Sequence, residues 1–174
     1  MQRVCNNQIH RRSERSRLDQ QILGVIVAVL LWSPPASAMQ RYQADEWIAE
    51  CGNRAEQGTC SIMVPFWQTA VGGRGSFVLV IMLQTGNVAI VGTPAPVKAV
   101  LRVDKGLPTT CRGGRYCIFP AAQAVAIVRQ LDKASLILID VFTAKSEFSF
   151  SLSVTGYRAG IAQVRAWGYQ VIAE

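Results

Sequence analysis

A chain of 174 residues, 50% hydrophobic and 17% charged, is long enough for one packed domain and too apolar to be intrinsically disordered. Its formal charge of +7 overstates its basicity, because the first 38 residues hold five of the 18 basic and only two of the 11 acidic side chains, which leaves residues 39–174 at +4. That excess favours anionic surfaces weakly and gives no argument for nucleic-acid binding.

The N-terminal segment reads as a cleavable secretory signal. Arg3, Arg11, Arg12, Arg15 and Arg17 precede an unbroken apolar run over residues 22–32, Pro34 and Pro35 follow, and Ala36-Ser37-Ala38 supplies the small-x-small pattern of a cleavage site. Cleavage after Ala38 makes Met39 the mature N-terminus. An uncleaved anchor is the alternative, but as a helix the run rises only about 16 Å, roughly half a hydrocarbon core. Arg11-Arg12 invites a twin-arginine reading; Ser13, Glu14 and Arg15 stand where that signal wants a bulky apolar residue, so a general secretory signal is expected. Residues 1–38 are therefore assigned to the signal and residues 39–174 to a single domain.

Within that domain, short runs rich in Val, Ile and Phe alternate with Gly, Pro, Asn and Asp, the pattern of an antiparallel β-sandwich or barrel. Strands are predicted over 47–51, 60–67, 77–83, 88–92, 97–103, 116–119, 136–142 and 148–154, with turns at 71–75, 85–87 and 104–106. Residues 148–154 alternate Phe and Leu with Ser, so one face is core and the other meets water. The runs 77–83 and 136–142 are apolar almost throughout, which predicts central strands covered on both faces. A helix is expected after Pro120, with Ala124, Ile127, Val128 and Leu131 on one stripe, and a second over about 157–167, with Tyr157, Ile161 and Val164 on a common face. The predicted class is all-β, mainly antiparallel and sandwich-like, with one or two short helices.

Cys5 leaves with the signal, so Cys51, Cys60, Cys111 and Cys117 remain, an even number suited to an oxidising compartment. Three pairings are possible and sequence does not choose among them. The expectation is the two local bridges, Cys51 to Cys60 and Cys111 to Cys117, each closing a short Gly-containing loop. Zinc is not expected, because the spacings lack CxxC-like pairs.

The only histidine, His10, also departs with the signal, which removes Ser-His-Asp, Cys-His and histidine-metal chemistry. No GxSxG elbow, P-loop or GxGxxG helix start is present. The domain is expected to be non-enzymatic and without cofactor or metal. Carboxylate acid/base chemistry needs two converging acids. Asp140 is the one acid placed with apolar neighbours, Leu136, Leu138 and Phe142, and a buried Asp140 calls for a partner such as Arg102 or Arg129. Arg112, Arg115 and Tyr116, inside or beside the second cysteine loop, form a candidate patch for an anionic partner, with Arg102 and Lys105 as candidate neighbours; a solvated turn is the competing reading. Trp47 and Trp67 are read as core or sheet-edge aromatics rather than a carbohydrate platform.

Trp47 four residues before Cys51, Cys60 soon after, LRVDKG at 101–106, Cys111 to Cys117 followed by Ile-Phe, and a closing FSLSVTGYRAG resemble, in order and spacing over residues 45–167, the invasion-associated locus B family of small exported Gram-negative proteins. The resemblance implies an all-β domain in the periplasm or cell envelope, linked to host-cell interaction, with no catalytic residues to carry over. It implies fold-forming roles for Trp47, Cys51, Cys60, Asp104, Cys111, Cys117 and Gly156. The basic RGGR loop and the arginines of the last helix, Arg158 and Arg165, depart from the family pattern. The resulting expectation is a non-catalytic binding module for an envelope or host-surface component. A structural or accessory envelope protein is the alternative.

Overall fold

The computed structural model describes residues 39–52, 59–70 and 73–171. The expected signal, with Ala38 of its cleavage site, lies outside the described residues, as do positions 53–58 of the first cysteine loop and 71–72 of the first predicted turn.

The strands are β1 (Gln40–Ala44), β2 (Trp47–Cys51), β3 (Cys60–Ala70), β4 (Gly73–Met82), β5 (Asn87–Thr93), β6 (Lys98–Val103), β7 (Thr109–Gly113), β8 (Cys117–Ile118), β9 (Leu136–Phe142) and β10 (Glu147–Ser153). They form one sheet in the order β1-β2-β3-β4-β5-β8-β7-β6-β9-β10, and every pairing is antiparallel. Helix α1 (Ala121–Leu131) follows β8, and α2 (Thr155–Ala166) follows β10. The all-β antiparallel class with two short helices is thus the observed one, and its walls belong to a single curled sheet.

Alternation explains how one sheet builds a core. Ile62, Val64 and Phe66 of β3, Phe77, Leu79 and Ile81 of β4, and Ile137, Ile139 and Val141 of β9 are all buried on the inner face. Both helices add their apolar stripes to that core: Ala124, Ile127, Val128 and Leu131 from α1, and Tyr157, Ile161 and Val164 from α2. Helix α1 starts one residue past Pro120, whose carbonyl accepts the Ala124 N–H at 2.9 Å. Helix α2 starts at Thr155, two residues ahead of the predicted first residue.

The central strands differ from expectation. Val78, Val80 and Met82 of β4, and Leu136, Leu138, Asp140 and Phe142 of β9, are only half-buried, while their alternate neighbours are buried. One face of each strand is core, and the other is the outer surface of the curl. Residues 73–75, predicted as turn, begin β4 instead, where Gly75 passes beneath aromatic rings. Strands β1 and β7 were not predicted, because QRYQA and TTCRG are polar and their pairing partners, not their composition, make them strands.

The curl is closed by aromatic rings. Phe148 and Phe150 of β10 reach Phe77 of β4 at ring-centroid distances of 5.3 and 5.9 Å, and Phe150 reaches Phe66 of β3 at 4.5 Å, although β10 lies at the far end of the strand order. A Cβ at Gly75 would lie 2.9 Å from the Phe148 ring, so glycine leaves room for the closure. At the other edge, Trp47 donates its indole N–H to the Ser153 carbonyl at 2.7 Å and meets the Tyr157 ring edge-on at 5.4 Å. Gly156 fits only because a Cβ there would collide with the Ala44 carbonyl and the Trp47 ring.

Asp104 adopts a left-handed backbone, φ 47°, and its carboxylate accepts the N–H groups of Ser135 and Leu136 at 3.1 and 2.9 Å. It thereby ties the turn after β6 to the start of β9. Replacing Asp104 by Ala should lower unfolding stability by about 1–3 kcal/mol, with Asn recovering part of the loss, measured by chemical denaturation.

The Tyr157 hydroxyl is buried without a hydrogen-bond partner among the described residues. Burial, with Asp132 adding to it and Arg165 opposing, raises its pKa above the ordinary 10.0. The folded protein therefore holds this proton where the unfolded chain releases it, so stability is fully present below pH 10.0 and falls as pH rises above it. Tyr157→Phe should leave neutral-pH stability unchanged or higher by up to about 1 kcal/mol and flatten that alkaline decline, read from denaturation midpoints across pH.

Candidate functional site

Both local disulfides are formed. Cys51 and Cys60 face each other across β2 and β3 with Cα atoms 4.1 Å apart, and Cys111 and Cys117 bridge β7 and β8 at 5.5 Å. All four cysteines are buried on the inner face. In the second loop the sulfurs point into the core, and the chain between them turns outward.

Gly113 allows that turn, because a Cβ there would come within 2.7 Å of the Cys117 backbone. Arg112, Arg115 and Tyr116 are all exposed. The Arg115 guanidinium stands 5.6 Å from the centre of the Tyr116 ring, a cation–π pairing that orients both side chains. Arg112 lies opposite Lys98 across β6 and β7 and opposite Ile118 across β7 and β8. Lys98 in turn sits 4.9 Å over the Phe142 ring. Among the described residues the one ion pair is Arg41 with Glu50, at 3.3 Å, so no carboxylate neutralises these cations.

The structure changes the membership of the basic group. Lys98, not singled out in the sequence, joins Arg112 by register. Arg102 lies four residues further along β6, about 13 Å away, and Lys105 lies beyond it in the following turn. Sequence distance hid this pairing; the predicted strand 97–103 contained the residue, but its partner strand was missing.

Arg102 instead lines a groove of about 290 Å³ on the outer face, with Asp140, Val100, Leu138, Ser149 and Ser151. Asp140 is half-buried and accepts a 2.7 Å hydrogen bond from the Ser149 hydroxyl, its neighbour across β9 and β10. The expected ion pair with Arg102 is not formed, and Arg129 projects from the exposed side of α1. Asp140 tolerates its place because that face is solvated and a hydroxyl serves it. Among the described residues it is the only carboxylate lining the groove, and no second acid converges on it there.

The two tryptophans separate. Trp47 is core, whereas Trp67 stands 63% exposed on the outer face near the end of β3. Among the described residues, no helix is long and apolar enough to cross a membrane.

Fold and site define a disulfide-braced, all-β domain of one curled sheet that presents an unneutralised basic and aromatic loop. No family model matches the chain, and no curated protein matches it. Among solved structures the chain is similar to the invasion associated protein B of Bartonella henselae, at 15% identity over 76% of this chain and 97% of that one, with a TM-score of 0.46.

Because the basic side chains touch nothing that holds the fold, Arg112→Ala and Arg115→Ala should each shift unfolding stability by less than about 0.5 kcal/mol. Converting Cys111 and Cys117 together to Ala should cost about 2–3 kcal/mol by releasing the loop. Urea denaturation of the three variants checks the contrast.

Proposed function

We propose that the chain is exported, is cleaved after Ala38, and acts in the cell envelope as a non-catalytic binding module whose contact element is the Cys111–Cys117 loop. The observation that carries this reading is the loop itself. A disulfide fixes it at its base, and it holds out Arg112, Arg115 and Tyr116 beside Lys98 with no carboxylate among the described residues to neutralise them. Rigid presentation lowers the ordering cost of binding, and unpaired cations select an anionic partner. Two disulfides agree with an oxidising compartment. The ordered resemblance to the invasion-associated locus B family extends the partner to an envelope or host-surface component.

A structural or accessory role in the envelope is the second reading. It is favoured by the fold-holding contacts found for Trp47, Asp104 and Gly156, which account for much of the resembling pattern without any ligand.

Affinity capture from envelope extracts separates the two. The binding module should retain a specific component that is lost, at unchanged stability, when Arg112 and Arg115 are replaced by Ala. Capture that is indifferent to those arginines favours the accessory role. A non-reducing mass map of the same protein should start at Met39 with both bridges intact, and a cytoplasmic form with free thiols would sink the export assignment.

A further inference from the structure

The outer face of the sheet carries an apolar strip that no described element covers. Read across the register, one row runs through Ile48, Met63, Val80, Ala89 and Ile118, from β2 to β8. The same row continues into Arg112 and then Lys98. A second row beside it holds Pro65, Val78 and Val91. Trp67 follows two residues along β3. The first row spans about 19 Å of contiguous apolar surface, four inter-strand steps, before its charge begins. Both helices pack their apolar stripes into the inner core, so neither shields it.

Such a strip on one face of a small domain marks a contact surface. Its chemistry is two-part. Trp67 and Ile118 are 63% and 56% exposed, and Tyr116, 47% exposed, borders the cationic end. Neither row contains a carboxylate. Glu50 on β2, two residues from Ile48, is held by Arg41 at 3.3 Å; Glu46 is exposed in the turn before β2, and Asp140 and Glu147 lie on β9 and β10 beyond Lys98.

From this arrangement we infer that the outer face docks on an anionic lipid bilayer, with Trp67 and Ile118 entering the interfacial layer and Arg112, Arg115 and Lys98 meeting the headgroups. The inference rests on the binding-module reading and names its partner. Apolar side chains beside cations, with an aromatic at the boundary, match the layering of a bilayer surface. A second copy of the chain fits less well, because pairing the two apolar strips brings their cationic ends together, while the exposed Glu147 lies two strands beyond Lys98 rather than beside the strip.

Flotation of the protein, purified as it accumulates in cells, with vesicles of phosphatidylcholine alone or mixed in equal parts with phosphatidylglycerol tests the inference. Binding is expected only to the mixed vesicles and should weaken as salt is raised. Removing Arg112 and Arg115 should weaken it about fivefold per cation. Trp67→Ser with Ile118→Ser should weaken it by about tenfold or more, and both positions are exposed enough to leave the fold intact. Trp67→Phe should keep binding while losing a vesicle-induced blue shift in tryptophan emission.

Equal binding to neutral vesicles, or binding that survives the Trp67 and Ile118 substitutions, overturns the assignment. So does a dimer, seen by sedimentation, that dissolves on Trp67→Ser. Arg-dependent capture of an envelope protein without any vesicle binding also overturns the lipid partner, and in that case the binding-module reading stands.

Discussion

A single sheet has one face to bury, and this domain buries it by bending the sheet until its distant strands meet. The contact that completes the bend is aromatic. Phe148 and Phe150 of β10 pack on Phe77 and Phe66, and apart from the Ser149 amide bonded to Gln68 at 3.3 Å, side chains rather than a backbone ladder hold that seam. Three aromatic pairs of this kind contribute about 0.5–1.5 kcal/mol each beyond the area they bury, and they order strands that the ladder alone leaves far apart. The two helices then pack on the remaining inner surface, and Trp47 with Tyr157 fastens α2 to the first strands.

The disulfides act at shorter range. Cys51 to Cys60 bridges directly opposed residues of two neighbouring strands, and Cys111 to Cys117 braces the shortest hairpin, whose second strand has only two residues. A hairpin that brief is marginal by itself, so the bridge and its buried sulfurs are what let the loop stand out from the sheet. The same geometry that stabilises the hairpin aims Arg115 and Tyr116 outward. Stability and presentation therefore have one cause here.

Bending the sheet inward also has a consequence for its other side. Residues that alternate with the core point outward, and in the middle of β3, β4 and β5 those residues are apolar as well: Met63 and Pro65, Val78 and Val80, Ala89 and Val91. A covered sheet would need a second layer on that side, and both helices are spent on the inner core. The outer strip is thus a direct result of having one sheet and helices on one face only.

The residues themselves settled much of this. Short apolar runs between Gly, Pro, Asn and Asp located eight of the ten strands, the apolar stripes fixed which faces of both helices are buried, and short Gly-containing spacings pointed to the two local bridges that form. These are local properties, set by side-chain direction and chain length between neighbours. Asp104 shows the limit: its place in a turn was legible, but its role as acceptor for Ser135 and Leu136 depends on a strand more than thirty residues away. Runs such as 77–83 report apolarity on both sides without saying whether anything covers the second side. Lys98 beside Arg112, Asp140 served by Ser149 instead of an arginine, and the bare outer strip were all decided by which strands lie next to which. That order is a non-local choice, made by closure of the aromatic seam and by register, and no local period in the sequence encodes it.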